Sequence, residues 1–191
     1  MTASLTESQL TPDYNRAAIA TGIVHIGVGG FHRSHQAAYI DGLMRRHSRP
    51  DTPEGNGSGA PEDNCLDWGI CGVGLLPGDA RMRDALAGQN HLYTLILKHP
   101  GGRHEPTIIG SLHNYLFAPD DPETVLSLMS APTTRIVSLT ITENGYNVDD
   151  VTGKFRTKAP GAVHDAEHPE EPTTAFGYIV EALRRRREAG T

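Results

Sequence analysis

The apolar residues 23–26 run into Gly27-Val28-Gly29-Gly30-Phe31-His32-Arg33, and a helical pattern follows at once. Residue types in this order can hold a diphosphate. Glycine bends the backbone tightly and admits an anion with no Cβ in the way. The first amides of a helix have no intrahelical acceptor and sit at the positive end of the peptide dipoles, so they favour a phosphate. Arg33 adds a cation whose forked donors match phosphate oxygens. A glycine cluster also serves in plain strand-to-helix turns, so the flanking strand and helix carry the assignment.

A dinucleotide wants a second anchor, an acid that accepts from the adenosine ribose and selects NAD over its 2′-phosphorylated relative. Asp79 is the first acid beyond the second strand pattern. Its distance from Gly27 far exceeds the usual spacing of about 20 residues, so its position after the strand supports it and the spacing does not. Asp79 equally stands where the helix starting at Ala80 needs a cap.

Other chemistry finds little support. His32 with His35, and His164 with His168, lie at spacings that could share a metal, but neither pair has a third ligand at a sensible distance. No metal is expected. Ser34 and Ser111 lack the setting of an activated nucleophile. Lys98, Lys154 and Lys158 fall at a strand end or in polar loops, where solvation is their role. The basic run Arg184-Arg185-Arg186-Arg187 reads as a solvated helix face at the helix's negative end. With a net charge of −6 the chain carries no electrostatic footprint for nucleic acid. Cys65 and Cys71 lack metal or redox spacing and read as thiols of a reducing compartment. With no leader pattern and no apolar run of about 18 residues, a cytoplasmic protein away from membranes is expected.

The elements that would position these residues follow from hydrophobic periodicity. At 191 residues the length suits one domain. Residues 1–21 read as irregular, 23–26 as a strand, and 31–46 as a helix with Ala37, Ala38, Ile40, Leu43 and Met44 inward. Residues 48–64, rich in Pro, Gly and Ser, read as a flexible insertion. A buried strand over 68–75 and a helix over 80–86 come next, then strand patterns at 91–98 and 107–112 that suit an antiparallel hairpin. A helix over 121–129, a buried strand over 135–142 and a helix over 173–188 complete the pattern. The last helix places Phe176, Ile179, Val180 and Leu183 on one face, and Gly190 follows as its cap. This order implies an α/β fold: a Rossmann-like, doubly wound, mostly parallel sheet with a small antiparallel excursion. The pattern stops on a helix where such a unit would run on into another strand.

Residues 23–36 resemble the nucleotide-binding opening of the long-chain mannitol dehydrogenases, polyol-specific oxidoreductases of the mannitol 2-dehydrogenase and fructuronate reductase type. Residues 67–75, 85–94 and 136–146 resemble the same family, and the likeness covers most of 22–187. The resemblance implies that Gly27, Val28, Gly29, Gly30, Phe31, His32 and Arg33 hold the NAD pyrophosphate and Asp79 the ribose. It implies that Glu143 faces the cofactor near the nicotinamide, although a plain turn residue before Asn144-Gly145 also fits there. Two departures stand out. His32 occupies the place of the third glycine of the ordinary fingerprint, and Gly78 replaces a glutamate that precedes the acid in the family, which loosens the exclusion of NADP. The implied activity is reversible hydride transfer between NAD and a sugar alcohol, such as D-mannitol to D-fructose, without a metal. The family's catalytic Lys, with its Asn and His partners, belongs to a mainly helical C-terminal domain. The expectation is therefore a nucleotide-binding domain unable to turn over a polyol unless that domain is supplied. A non-catalytic nucleotide-binding or assembly module, or a truncated gene product, is the alternative.

Overall fold

The computed structural model describes residues 11–47, 65–141 and 143–191, with the backbone alone at 143 and 144. The expected insertion at 48–64 lies outside the described residues. Four strands form one parallel sheet: β1 (Thr21–Ile26), β2 (Gly69–Gly74), β5 (Leu112–Phe117) and β6 (Ile136–Leu139), in the order β5-β2-β1-β6. Strands β3 (Tyr93–Lys98) and β4 (His104–Ile109) pair antiparallel in a separate hairpin, as the sequence implied. After β5 the chain crosses from one edge of the sheet to the other, which puts a topological switch point between β1 and β6. In open α/β sheets a ligand crevice forms there, outside the carboxyl ends of the strands.

Alternation along β1 splits the core into two layers. Ile23 packs with Ile70, Leu112 and Tyr115 against Ala37 of α2 (Gln36–His47) and Leu86 of α3 (Ala80–Ala87). Val24 and Ile26 pack on the other face against Val125, Leu126 and Met129 of α4 (Pro122–Ser130) and Ala175, Tyr178 and Ala182 of α6 (Ala175–Ala189). Helices on both faces of a parallel sheet make the fold doubly wound.

Five local readings need correction. The single helix expected over 31–46 is two, α1 (Gly30–Ser34) and α2, broken at His35, whose backbone leaves the helical region at φ −119° and ψ −85°. The strand read over 107–112 ends at Ile109. Gly110 donates its amide to Asp41, Ser111 bonds the carbonyl of Ala37, and the chain turns there into β5, a sheet strand that the polar pair His113-Asn114 had hidden. Residues around His164 form α5 (Pro160–Glu167), not a loop, with Pro160 in the first turn where its missing N–H costs nothing. Strand β6 is paired on one side only among the described residues, and Ile136 stays 41% exposed, so it is an edge strand and not a buried one.

Helix α6 presents a different face from the one expected: Val180 and Leu183 are exposed, and Ala175, Tyr178, Glu181 and Ala182 are buried. The reason is electrostatic. Glu181 is 1% exposed because Arg184 and Arg185 both bond its carboxylate, which removes the cost of burying a lone charge. The arginine run is not simply solvated either. Arg185 also bonds Glu123, and Arg186 takes the carbonyls of Ala131 and Thr134 at 2.9 and 3.0 Å.

Candidate cofactor site

The glycine turn follows directly from β1. Gly27 has φ +86°, and a Cβ there would lie 2.4 Å from the carbonyl oxygen of Thr140, so glycine lets β1 and the chain beyond β6 approach. Gly27 donates to Val73 at 3.0 Å and Gly29 to Gly27 at 2.8 Å, so these two amides hold the turn together instead of facing a ligand. The first helical bond of α1 is Arg33 to Gly29 at 3.1 Å. The amides of Val28, Gly30, Phe31 and His32 therefore meet no acceptor among the described residues. A Cβ on Gly29 or Gly30 would meet nothing within 4 Å. The turn is open, and it keeps donors for an anion.

That opening is one end of a cleft of about 820 Å³ at the carboxyl ends of β1, β2 and β6. Its near wall carries Gly27, Val28, Gly29 and Arg33, and its middle Leu76, Asp79 and Arg81. The far wall comes from Gly145, Asn147 and the starts of α5 and α6, including Thr174 and Phe176. Asp121 and Thr174 cap α4 and α6 with side-chain oxygens, which fixes where these helices begin.

The expected site residues separate into groups. Arg33 lines the cleft, its Nε lies 3.4 Å from the Gly29 carbonyl, and no carboxylate among the described residues pairs with it. Asp79 also lines the cleft. Its Oδ2 accepts the Leu76 amide at 2.9 Å and closes a 3₁₀ turn, and its side chain makes no cap bond to α3, so the capping alternative is set aside. Glu143 starts the short 3₁₀ turn Glu143–Tyr146 beyond β6, and the backbone of that turn reaches the cleft at Gly145.

The side chains of Phe31 and His32 lie off the cleft lining. Phe31 is 66% exposed and stacks on His35, off the cleft wall. His32 is buried, with its ring stacked on His25 at 3.7 Å and 13°. Neither His32 ring nitrogen has a hydrogen-bond partner among the described residues. Their amides, not their side chains, are among the donors left over at the start of α1. A flat ring lying on β1 fills the space where the ordinary fingerprint uses a glycine for close helix–strand packing.

Burial pushes His32 down to about 3, with help from His25 and Arg33, and pushes His25 down to about 4. Both rings are neutral near neutral pH. His25 is held by the hydroxyls of Ser138 at 2.8 Å and Thr140 at 3.0 Å. These two rings thus add no positive charge to the turn, whose cation is Arg33. Tyr115 is held protonated by burial and by Asp79, so it is no base at working pH.

Sequence reasoning missed Arg81, which lines the cleft two residues after Asp79. The signal was there, since a basic residue two positions after the expected ribose acid would reach the same substituent. It also missed the α5–α6 wall, because α5 was read as a loop. No group of three His, Cys, Asp or Glu among the described residues could hold a metal ion. Among the described residues no helix is long and apolar enough to cross a membrane.

The model of the mannitol dehydrogenase Rossmann domain matches residues 21–191. The mannitol 2-dehydrogenase of Cereibacter sphaeroides is 46% identical over 186 residues, covering 97% of this chain and 35% of that protein. That of Pyricularia oryzae is 44% identical over 181 residues, covering 94% of this chain and 33% of that protein. The solved structure of Pseudomonas fluorescens mannitol 2-dehydrogenase, a ternary complex with NAD and D-mannitol, is 45% identical with a TM-score of 0.80. It is covered over 33% of its length by 94% of this chain. The chain thus spans about a third of the length of the relatives it matches. With sequence and fold in agreement, the chain belongs to the mannitol dehydrogenase family and carries its Rossmann domain.

Proposed function

We propose that residues 22–191 bind NAD as the cofactor part of a polyol dehydrogenase. One observation carries this reading: the donors of Val28, Gly30, Phe31 and His32, with Arg33 paired to no carboxylate among the described residues, adjoin open space at the switch point of the sheet. The chemistry fits a dinucleotide. The amides and Arg33 would take the diphosphate, the Asp79 carboxylate the adenosine ribose, and the turn beginning at Glu143 the nicotinamide end. The relative solved with NAD and D-mannitol supports the same cofactor here.

NAD is favoured over NADP because a 2′-phosphate would approach the Asp79 carboxylate. Arg81 on the same wall, with Gly78 beside Asp79, makes that preference modest. The nicotinamide supplies hydride exchange, and the protein's part is to place it. Among the described residues the cleft carries no lysine or histidine, and its tyrosine stays protonated. A proton acceptor for a sugar alcohol must come from elsewhere, so this chain by itself binds and orients without turnover. The polyol, with mannitol as the favoured example, becomes a partner only where that acceptor is present. Action in the cytoplasm is supported by a sequence with two cysteines, too few for a disulfide framework. Nucleic acid is a poor partner for a chain of net charge −6 whose basic helix bonds its own carboxylates.

Calorimetric titration of the purified chain with NAD and NADP tests the reading. Saturable NAD binding, tighter than NADP, and no mannitol-dependent NADH formation are expected. Absence of NAD binding by folded protein would remove the reading, and steady turnover would remove its catalytic half.

A further inference from the structure

The residue that fixes Arg33 lies outside the cleft, on the hairpin. Helix α1 breaks at His35, so the Arg33 carbonyl has no amide donor among the described residues, whereas a continuous helix would supply one. The Tyr93 hydroxyl, at the start of β3, donates to the Arg33 carbonyl at 2.6 Å. The ring of the same tyrosine lies under the Arg33 guanidinium, 5.7 Å from ring centroid to carbon. That distance is within the range of a cation–π contact. One side chain therefore grips Arg33 twice, at its backbone and at its charge. The two residues stand 60 apart in sequence, and the left-handed pair Asn90 and His91 turns the chain out of α3 so that Tyr93 arrives there.

A long arginine side chain that binds an anion loses rotamer freedom in doing so. Holding it beforehand against a flat ring lowers that loss while Arg33 stays on the lining of the cleft. Burial keeps the Tyr93 hydroxyl protonated, so its donor is present at every working pH.

We propose that Tyr93 is a positioning residue of the diphosphate subsite, pre-setting Arg33 through its hydroxyl and its ring. The proposal rests on the NAD reading above and adds to it a residue that touches no part of the cofactor.

A double-mutant cycle tests it on the full chain, using NAD, ADP and adenosine as titrants with thermal melting as the fold control. Tyr93→Phe, which keeps the ring, should weaken NAD binding about threefold, and Tyr93→Leu about tenfold. ADP should follow NAD, and adenosine, which lacks the diphosphate, should bind every variant alike. In an Arg33→Ala background, Tyr93→Leu should change NAD binding less than about twofold. Equal weakening by Tyr93→Leu with and without Arg33, or loss of adenosine along with ADP, would show a merely structural tyrosine and overturn the proposal. Unchanged NAD affinity in folded Tyr93→Phe overturns it as well, and covers the case in which the leucine variant fails to fold. If the unaltered chain binds neither NAD nor ADP, the cofactor reading falls first and takes this one with it.

Discussion

Arg33 at the glycine turn and Arg184, Arg185 and Arg186 near the end of α6 are the same side chain in two settings. In sequence the four-residue run Arg184 to Arg187 looks the stronger anion site. In the fold three of its four side chains, Arg184, Arg185 and Arg186, are spent. Arg184 and Arg185 converge on buried Glu181 at 2.7 to 2.8 Å, Arg185 continues to Glu123, and Arg186 closes the end of α4 through two carbonyls. Arg33 has no carboxylate among the described residues and stands beside amides with no internal acceptor. A cation reports function by what the fold leaves unpaired around it, not by how many cations adjoin it.

The largest expected effect comes from closing the turn. Gly27→Ala puts a Cβ at a positive φ and 2.4 Å from the Thr140 carbonyl oxygen. It should destabilise the chain by about 3 kcal/mol or more and abolish NAD binding, as read by chemical denaturation and calorimetry. If the variant kept both stability and affinity, the open turn would not be what distinguishes the two regions.

Acid should next attack the turn's foundation. The unfolded chain protonates His25 and His32 near the ordinary value of 6.5, while the fold holds them down to about 4 and about 3. Their contribution is complete above 6.5 and drains away as pH falls, because the unfolded state binds more protons there. Between about pH 7 and pH 5 the loss should be about 3 kcal/mol, measured by urea melts. His32→Leu should roughly halve that slope. A flat stability profile across this window would mean that the stacked pair is not held neutral.

Legibility tracks the same physics. Strands β1 and β2, the hairpin, α4 and the cap at Gly190 were readable, since apolar period and turn residues agreed there. Strand β5 was not, because His113 and Asn114 interrupt its apolar pattern and only Leu112 and Tyr115 are buried. The buried face of α6 was misread because Glu181 counts as polar until its arginines are placed around it. At the site, Gly27, Gly29, Arg33 and Asp79 were legible as types at a strand end. That Gly27 and Gly29 spend their amides internally, and that His32 turns inward onto His25, depends on three-dimensional register which no spacing carries.

Exchanging the two arginine settings gives the finest comparison. Arg33→Ala should weaken NAD about tenfold with little change in melting temperature. Arg185→Ala should leave NAD affinity alone and cost about 1 kcal/mol of stability, since its partners Glu181 and Glu123 are a buried and an exposed acid. Matching effects of both variants on both readouts would erase the distinction.

The central claim concerns specific amides, and amides can be watched one by one. A nitrogen-15 proton correlation spectrum of the chain titrated with ADP should move the resonances of Val28, Gly30, Phe31 and His32 first and furthest, leaving Ala182 and Arg186 in α6 unmoved. Shifts centred on the α6 arginines, or a glycine turn that stays silent while ADP binds, would contradict the account.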